Sequence, residues 1–293
     1  MTEPRTKAHI EAHDDQANGS GLPGLTDFLA ELAQANRSPH TLRAYASDLK
    51  AHDDDLSVPA LRTYFAGLEN LSAGTHARKQ ASLSAYCRWA VRNGLIPANP
   101  LERLERVRQQ PPPPRAIPRA QFNKILAAVD TPRDRLLLRL LFETGLRISE
   151  ALSLRVEDLD MRKDDEHLTV IGKGGKQRTL LLDDPALLRE LRAYIRKEGL
   201  ERGLLLRAQK NGTGEPLRYQ SVQEKWASYC AKAGVAATLH QLRHAHATEL
   251  VNDGVSLATI RKRLGHRHIQ TTLRYAEKSD QAAEAELRLR RRR

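Results

Sequence analysis

The sequence predicts a mainly α-helical chain with a small β-sheet or hairpin region, divided into an N-terminal helical domain and a C-terminal mixed α/β domain. Three observations predict it. Apolar residues recur at spacings of three and four over most of the chain, as on the buried faces of successive helices. Gln109-Gln110-Pro111-Pro112-Pro113-Pro114 can propagate neither helix nor central strand and makes a semi-rigid spacer. Leu168–Ile171 and Gln177–Leu182 flank the turn Gly172-Lys173-Gly174-Gly175-Lys176, a hairpin pattern. A length of 293 residues also suits two domains.

The elements follow in order. Residues 1–21 are acidic and polar and read as a disordered tail. The helical domain spans 22–108. Its pattern begins at Leu25, and Ser38-Pro39 reads as an N-cap followed by a first-turn proline. Leu42, Tyr45, Ala46 and Leu49 then form one apolar face. Further helices are expected over 58–70 and 75–93, the latter with Leu83, Tyr86, Cys87, Trp89 and Ala90 as its stripe. After the linker (109–117), helices are expected at 119–129, 132–144 and 147–154. The hairpin follows, then helices at 185–198, 220–233, 240–253, 256–264 and 269–277, completing a second domain over 118–279. Residues 280–293 form a basic C-terminal tail or short helix.

Lys and Arg number 48 against 36 Asp and Glu, a net charge of +12. Residues 1–110 carry equal numbers of each sign, so the whole excess belongs to the second part. Such a concentration fits a polyanionic partner, nucleic acid first and an anionic membrane surface second. Aromatics at 4% are few for stacking the bases of a single strand, which favours duplex DNA. Within residues 71–100, Arg78, Lys79, Arg88 and Arg92 stand with no acid, a face that either lies on DNA or is simply solvated. Arg43, Arg78 and Lys79, with Lys176 and Arg178 of the hairpin, are the candidate DNA contacts. No apolar run approaches a membrane span, and the first 20 residues lack the apolar core of a secretion signal. Cys87 and Cys230, 143 positions apart, make neither a metal pair nor a disulfide framework. The expectation is a soluble cytoplasmic protein.

Four segments carry chemistry. Thr144-Gly145-Leu146-Arg147-Ile148-Ser149-Glu150 sets an arginine at the head of a helix, with Glu150 placed to brace the helix start. Leu239-His240-Gln241-Leu242-Arg243-His244-Ala245-His246 puts His240 and Arg243 on one helical face, where both can approach a phosphate. His240 and His244 also have the spacing of a zinc helix, but the glutamate of H-E-x-x-H is Gln241 here and acidic third ligands are absent nearby. His244 and His246 are read as cap or core histidines. Leu264-Gly265-His266 is followed by Tyr275, nine residues beyond the histidine. Lys173 sits in the glycine-rich turn, which does not meet the P-loop pattern G-x-x-x-x-G-K-[ST] and is not followed directly by a helix.

In this order the four segments resemble the tyrosine recombinase, or phage integrase, family, most of all its Xer type. The family pattern is an arginine, a hairpin lysine, His-x-x-Arg, then Leu-Gly-His and a tyrosine. Arg147, Lys173, His240, Arg243, His266 and Tyr275 match every member. Ser38-Pro-His-Thr-Leu-Arg-Ala-Tyr45 looks like the opening of the family's core-binding domain. One departure is Ala276-Glu277, where Xer proteins often have Thr-His.

The resemblance implies attack of Tyr275 on a DNA phosphodiester, giving a 3′-phosphotyrosyl link and a free 5′-hydroxyl, without ATP, cofactor or metal. Arg147 and Arg243 clamp the phosphate, His240 and His266 donate to it, His240 takes the tyrosine proton, and Lys173 is general acid. It also implies a tetramer, of this chain alone or with a homologue, on two duplexes. Ala282, Ala283, Leu287 and Leu289 would then dock into a neighbouring copy. Three alternatives stay open: a type IB topoisomerase, a non-catalytic DNA-binding module, and a metal-dependent hydrolase built on the histidines.

Overall fold

A computed structural model describes residues 21–52, 54–105, 116–172, 175–208, 214–266 and 270–276, with main chain alone at 274 and 276. The chain divides into two compact units, Met1–Pro112 and Pro113–Arg293. The tail over 1–20, the linker over 109–115 and the C-terminal segment over 280–293 lie outside the described residues.

Among the described residues, the first unit holds four α-helices: α1 (Leu25–Gln34), α2 (Pro39–Leu49), α3 (Val58–Ala66) and α4 (Ala73–Arg92). Ser38, Ser57 and Ser72 each accept the main-chain N–H three residues on, capping α2, α3 and α4. Each cap satisfies a donor that the first helical turn leaves open. Phe28, Leu49, Leu61, Leu83, Tyr86, Cys87 and Trp89 close the core. Helix α3 stops four residues short of the expected 70, at Gly67.

The second unit opens with Ala116 and Ile117, which already pack into its core. Helices α5 (Arg119–Ala127), α6 (Pro132–Thr144) and α7 (Ile148–Ser153) precede a three-stranded antiparallel sheet of β1 (Leu159–Asp160), β2 (His167–Ile171) and β3 (Gln177–Leu181). Strand order is sequential, with Val170 opposite Arg178 and Leu168 opposite Leu180. The sequence pattern had shown the hairpin but not β1, whose two residues are too few to display a period. Helices α8 (Pro185–Lys197), α9 (Tyr219–Ala233), α10 (Leu239–Asn252), α11 (Leu257–Leu264) and α12 (Gln270–Ala276) complete the unit. Helix α6 is its centre, buried along nearly its whole length. Arg119 forks from the start of α5 onto Glu143 of α6 and Glu249 of α10, at 2.6–3.1 Å, tying three helices at one end. A small cluster of Ala247, Val251, Ile260, Leu264 and Tyr275 seats α12 on α10 and α11.

Among the described residues no helix is long and apolar enough to cross a membrane.

Candidate active site

The site begins at the end of α6. Gly145 terminates that helix in the left-handed conformation, φ +65°, and a Cβ there would lie 2.7 Å from both His246 Cδ2 and Leu264 Cδ2. Only glycine fits a backbone so placed. The turn it makes delivers Arg147 to the head of α7, where the Arg147 main-chain N–H donates to Glu150 Oε2 at 2.8 Å and Nη1 donates to Glu150 Oε1 at 2.9 Å. Glu150 thus braces the helix start as the spacing suggested, and fixes the guanidinium as well.

Glu150 is 5% exposed and receives a second arginine. Arg178 donates from Nη1 and Nη2 to its two oxygens at 3.0 and 2.8 Å, and from Nε to the Arg263 carbonyl at 2.9 Å. Burial alone would raise the Glu150 pKa, but the hydrogen bonds from Arg178 and from the Arg147 main chain hold it at about 2. Arg178 was expected to face DNA. The structure instead turns it inward: opposite Val170, and two residues from buried Leu180, it lies on the core face of β3. It ties the hairpin, α7 and the end of α11 together.

Arg243, on α10, is 3% exposed. Its Nη1 and Nη2 donate to the Gly145 and Leu264 carbonyls, each at 2.6 Å, so the two flanking glycine turns aim the guanidinium. Burial and then the Arg147 charge lower its pKa to about 10, which still leaves it cationic at neutral pH. The same field reaches the histidines. His266 is pushed down to about 4 by burial, then by Arg243 and Arg147, and its Nδ1 lies 2.9 Å from Thr272 Oγ1. His240 is exposed, yet flanking protein desolvates it enough to lower its pKa, with Arg243 and Arg147 adding to the effect. Arg147, His240, Arg243 and His266 therefore share one electrostatic neighbourhood.

Tyr275 enters it from α12, 4% exposed, within range of the Arg243 charge and with its ring parallel to that of His266 at 6.3 Å. Its hydroxyl oxygen lies 2.6 Å from His244 Nδ1. The sequence reading left His244 as a cap or core histidine; the structure sets its ring against the Tyr275 hydroxyl instead. Positions 240 and 244 do share a helical face, and their rings meet edge-on at 4.5 Å, but α12 docks against the second. The i, i+4 spacing was the available clue.

His246 is the core histidine the sequence suggested, buried, with Nε2 accepting from Arg263 Nε at 2.9 Å. Burial, then Arg263 and Arg243, depress its pKa to about 3. It is neutral when folded, whereas an unfolded histidine protonates near about 6.5. Below that pH the unfolded chain binds the extra proton, so stability falls as pH drops from about 6.5 towards 3, by up to about 1.4 kcal/mol per pH unit. Thermal unfolding of His246→Asn should show a shallower loss between pH 6.5 and 4.5 than the parent protein. An unchanged slope would contradict the assignment, since His266 supplies only a second contribution of the same sign.

Lys173 lies outside the described residues. The base of its turn does not: Gly172 donates to the Lys176 carbonyl at 2.7 Å, and a Cβ on Gly172 would meet Glu150 Oε1 at 3.7 Å. Lys176 and Arg43 are exposed. Arg78 and Lys79 both pair with buried Asp48, Lys79 at 3.7 Å, which offsets part of the basic face they were expected to present. Among the described residues, no group of three or more His, Cys, Asp or Glu side chains is arranged to hold a metal ion.

Known proteins bear on this arrangement. The sequence model of the phage integrase family matches residues 115–282. Tyrosine recombinase XerA of Pyrococcus furiosus is 31% identical over 262 residues, covering 86% of this chain and 88% of XerA. Transposase A from transposon Tn554 of Staphylococcus aureus is 38% identical over 179 residues, but the match spans 57% of this chain and only half of the transposase. Among solved structures, XerH site-specific recombinase in a post-cleavage complex with palindromic difH substrate is similar with a TM-score of 0.72 at 20% identity, covering 92% of this chain and 90% of XerH, which is a likeness of fold. With the family model matched across the unit that holds the site, and XerA matched over most of both chains, this chain belongs to the phage integrase family of tyrosine recombinases.

Proposed function

We infer that this protein is a site-specific DNA recombinase that cleaves and rejoins duplex DNA through a 3′-phosphotyrosyl intermediate on Tyr275. The observation that carries the reading is a buried tyrosine hydroxyl held by a histidine within the field of Arg243. Phosphoryl transfer places charge on non-bridging oxygens, and fixed planar guanidiniums meet it with paired donors. Arg243, aimed by two carbonyls, and Arg147, held by Glu150, are that clamp. His240 and His266, kept neutral by their surroundings, donate hydrogen bonds to the same phosphate. Lys173 protonates the leaving 5′-oxygen, a role carried by the resemblance alone. Because the phosphotyrosyl bond conserves the energy of the broken linkage, a 5′-hydroxyl from a partner strand can reverse the step without ATP.

The partners are two DNA duplexes held by a tetramer, acting in the cytoplasm on the nucleoid. XerA similarity over most of both chains favours Xer-like dimer resolution over transposon mobility, for which the relative matches over half its length.

The test uses a plasmid carrying two directly repeated copies of a site that the protein selects from a random duplex pool. Excision of a circle, unaffected by EDTA, is the expected product. Supercoil relaxation with no exchanged product would support a topoisomerase. Arg147→Lys should slow cleavage by about a hundredfold or more, because an ammonium cannot replace the planar fork. Near-normal cleavage by that variant would contradict the clamp.

A further inference from the structure

Helix α10 carries three imidazoles, and the one at the Tyr275 hydroxyl has no part in the six-residue pattern. His244 Nδ1 lies 2.6 Å from Tyr275 Oη, a short contact made inside a pocket that leaves the tyrosine 4% exposed. A distance in this range is a short hydrogen bond in a setting where water competes poorly. His240 meets the His244 ring edge-on at 4.5 Å, and His266 lies within electrostatic range of it. The groups facing His244 include His240 on its own helix, Tyr275 on α12 and His266 after α11, with Arg243 and Arg147 close to that set.

We propose that His244 is a catalytic residue: it holds the Tyr275 phenol before DNA arrives and accepts its proton as the oxygen attacks the phosphodiester. The proposal rests on the recombinase reading above. In the step, the Oη–H bond breaks and the proton passes to the lone pair on His244 Nδ1, with Nε2 already protonated. The Oη electron pair forms the bond to phosphorus, the P–O5′ bond breaks, and the departing oxygen takes a proton from water or from the hairpin lysine. Religation reverses every transfer. The incoming 5′-hydroxyl attacks, the P–Oη bond breaks, and the imidazolium returns its proton to the phenolate. A positioned imidazole acts as general base by taking the phenol proton as phosphorus draws charge from the oxygen. His240, beside the two arginines, is left to bind the phosphate. One helical face thus divides the work: position 240 serves the electrophile and position 244 the nucleophile.

Two variants separate holding from proton transfer. Asparagine at 244 keeps an oxygen acceptor near the Nδ1 position but takes no proton, and phenylalanine keeps ring volume without either function. Single-turnover adduct formation is measured with the full chain on a nicked suicide duplex bearing the selected site, from pH 5.5 to 9. His244→Asn should be at least tenfold slower than the parent at pH 7, with a rate rising about tenfold per pH unit and converging on the parent at high pH. His244→Phe should be slower still. Site affinity should be unchanged in both. Parental rate and pH profile in His244→Asn would overturn the proposal while leaving the recombinase reading intact. No adduct from the parent on any selected site would remove both. Nitrogen NMR of histidine-labelled protein without DNA gives an independent readout. One Nδ1 should report as an unprotonated, hydrogen-bonded acceptor whose shift changes in Tyr275→Phe; a protonated Nδ1 on His244 would overturn the proposal.

Discussion

Tyr275→Phe binds duplex DNA with unchanged affinity and yields no covalent adduct. The substitution removes one oxygen and keeps the ring that packs among Ala247, Val251, Ile260 and Leu264. The fold loses the hydrogen bond to His244, a contribution of about 1 kcal/mol. The melting temperature should therefore shift by a few degrees at most. The chemistry loses its proposed nucleophile, the hydroxyl that lies within range of the Arg243 charge on the ring stacked beside His266. Binding by gel shift and adduct by denaturing gel on the same samples make the comparison. A retained adduct would show that another nucleophile acts.

Glu150→Ala has the largest expected effect on the fold of the site. One carboxylate accepts from Arg147 main chain and side chain and from both Nη atoms of Arg178. Removing it strands the Arg178 guanidinium, which is largely buried, without its counter-charge. Losing one partner of a buried pair typically destabilises by about 3–5 kcal/mol. Arg147 loses its brace as well, and the hairpin loses its tie to α7 and to the Arg263 carbonyl through Arg178. The variant should unfold at clearly lower denaturant and cleave at least a hundredfold more slowly. Glu150→Gln keeps the shape and one acceptor oxygen, and should fall between. Parental stability in Glu150→Ala would show that solvent reaches Arg178 in a way its burial denies.

Most helices were legible because their signals are local. Serine caps with a proline one or two residues on, and apolar stripes of period 3.6, are written within a dozen residues, and α6 begins and ends where its pattern does. Strand β1 was not legible, being two residues that exist only by pairing with β2. Within the site, the six matched residues could be named because a family pattern is a statement about order. Partners across the fold could not. Arg178 was assigned to DNA because it is basic and lies in a hairpin, yet the alternation Arg178, Leu180, Leu182 already marked the inward face. His244 was set aside because helix spacing says which residues share a face and not what docks against it. Asp48 pairs with Arg78 across 30 residues of sequence, a contact no local pattern reveals.

The central claim is a covalent bond from Tyr275 to a 3′-phosphate, and its most direct measurement is mass spectrometry of the trapped adduct. The full chain is incubated with the suicide duplex, digested with protease and nuclease, and the nucleotide-bearing peptide sequenced. The account predicts one modified residue, Tyr275, joined to the 3′-phosphate of the cleaved strand with a free 5′-hydroxyl on the other fragment. Attachment through any other residue, or to a 5′-phosphate, would contradict it.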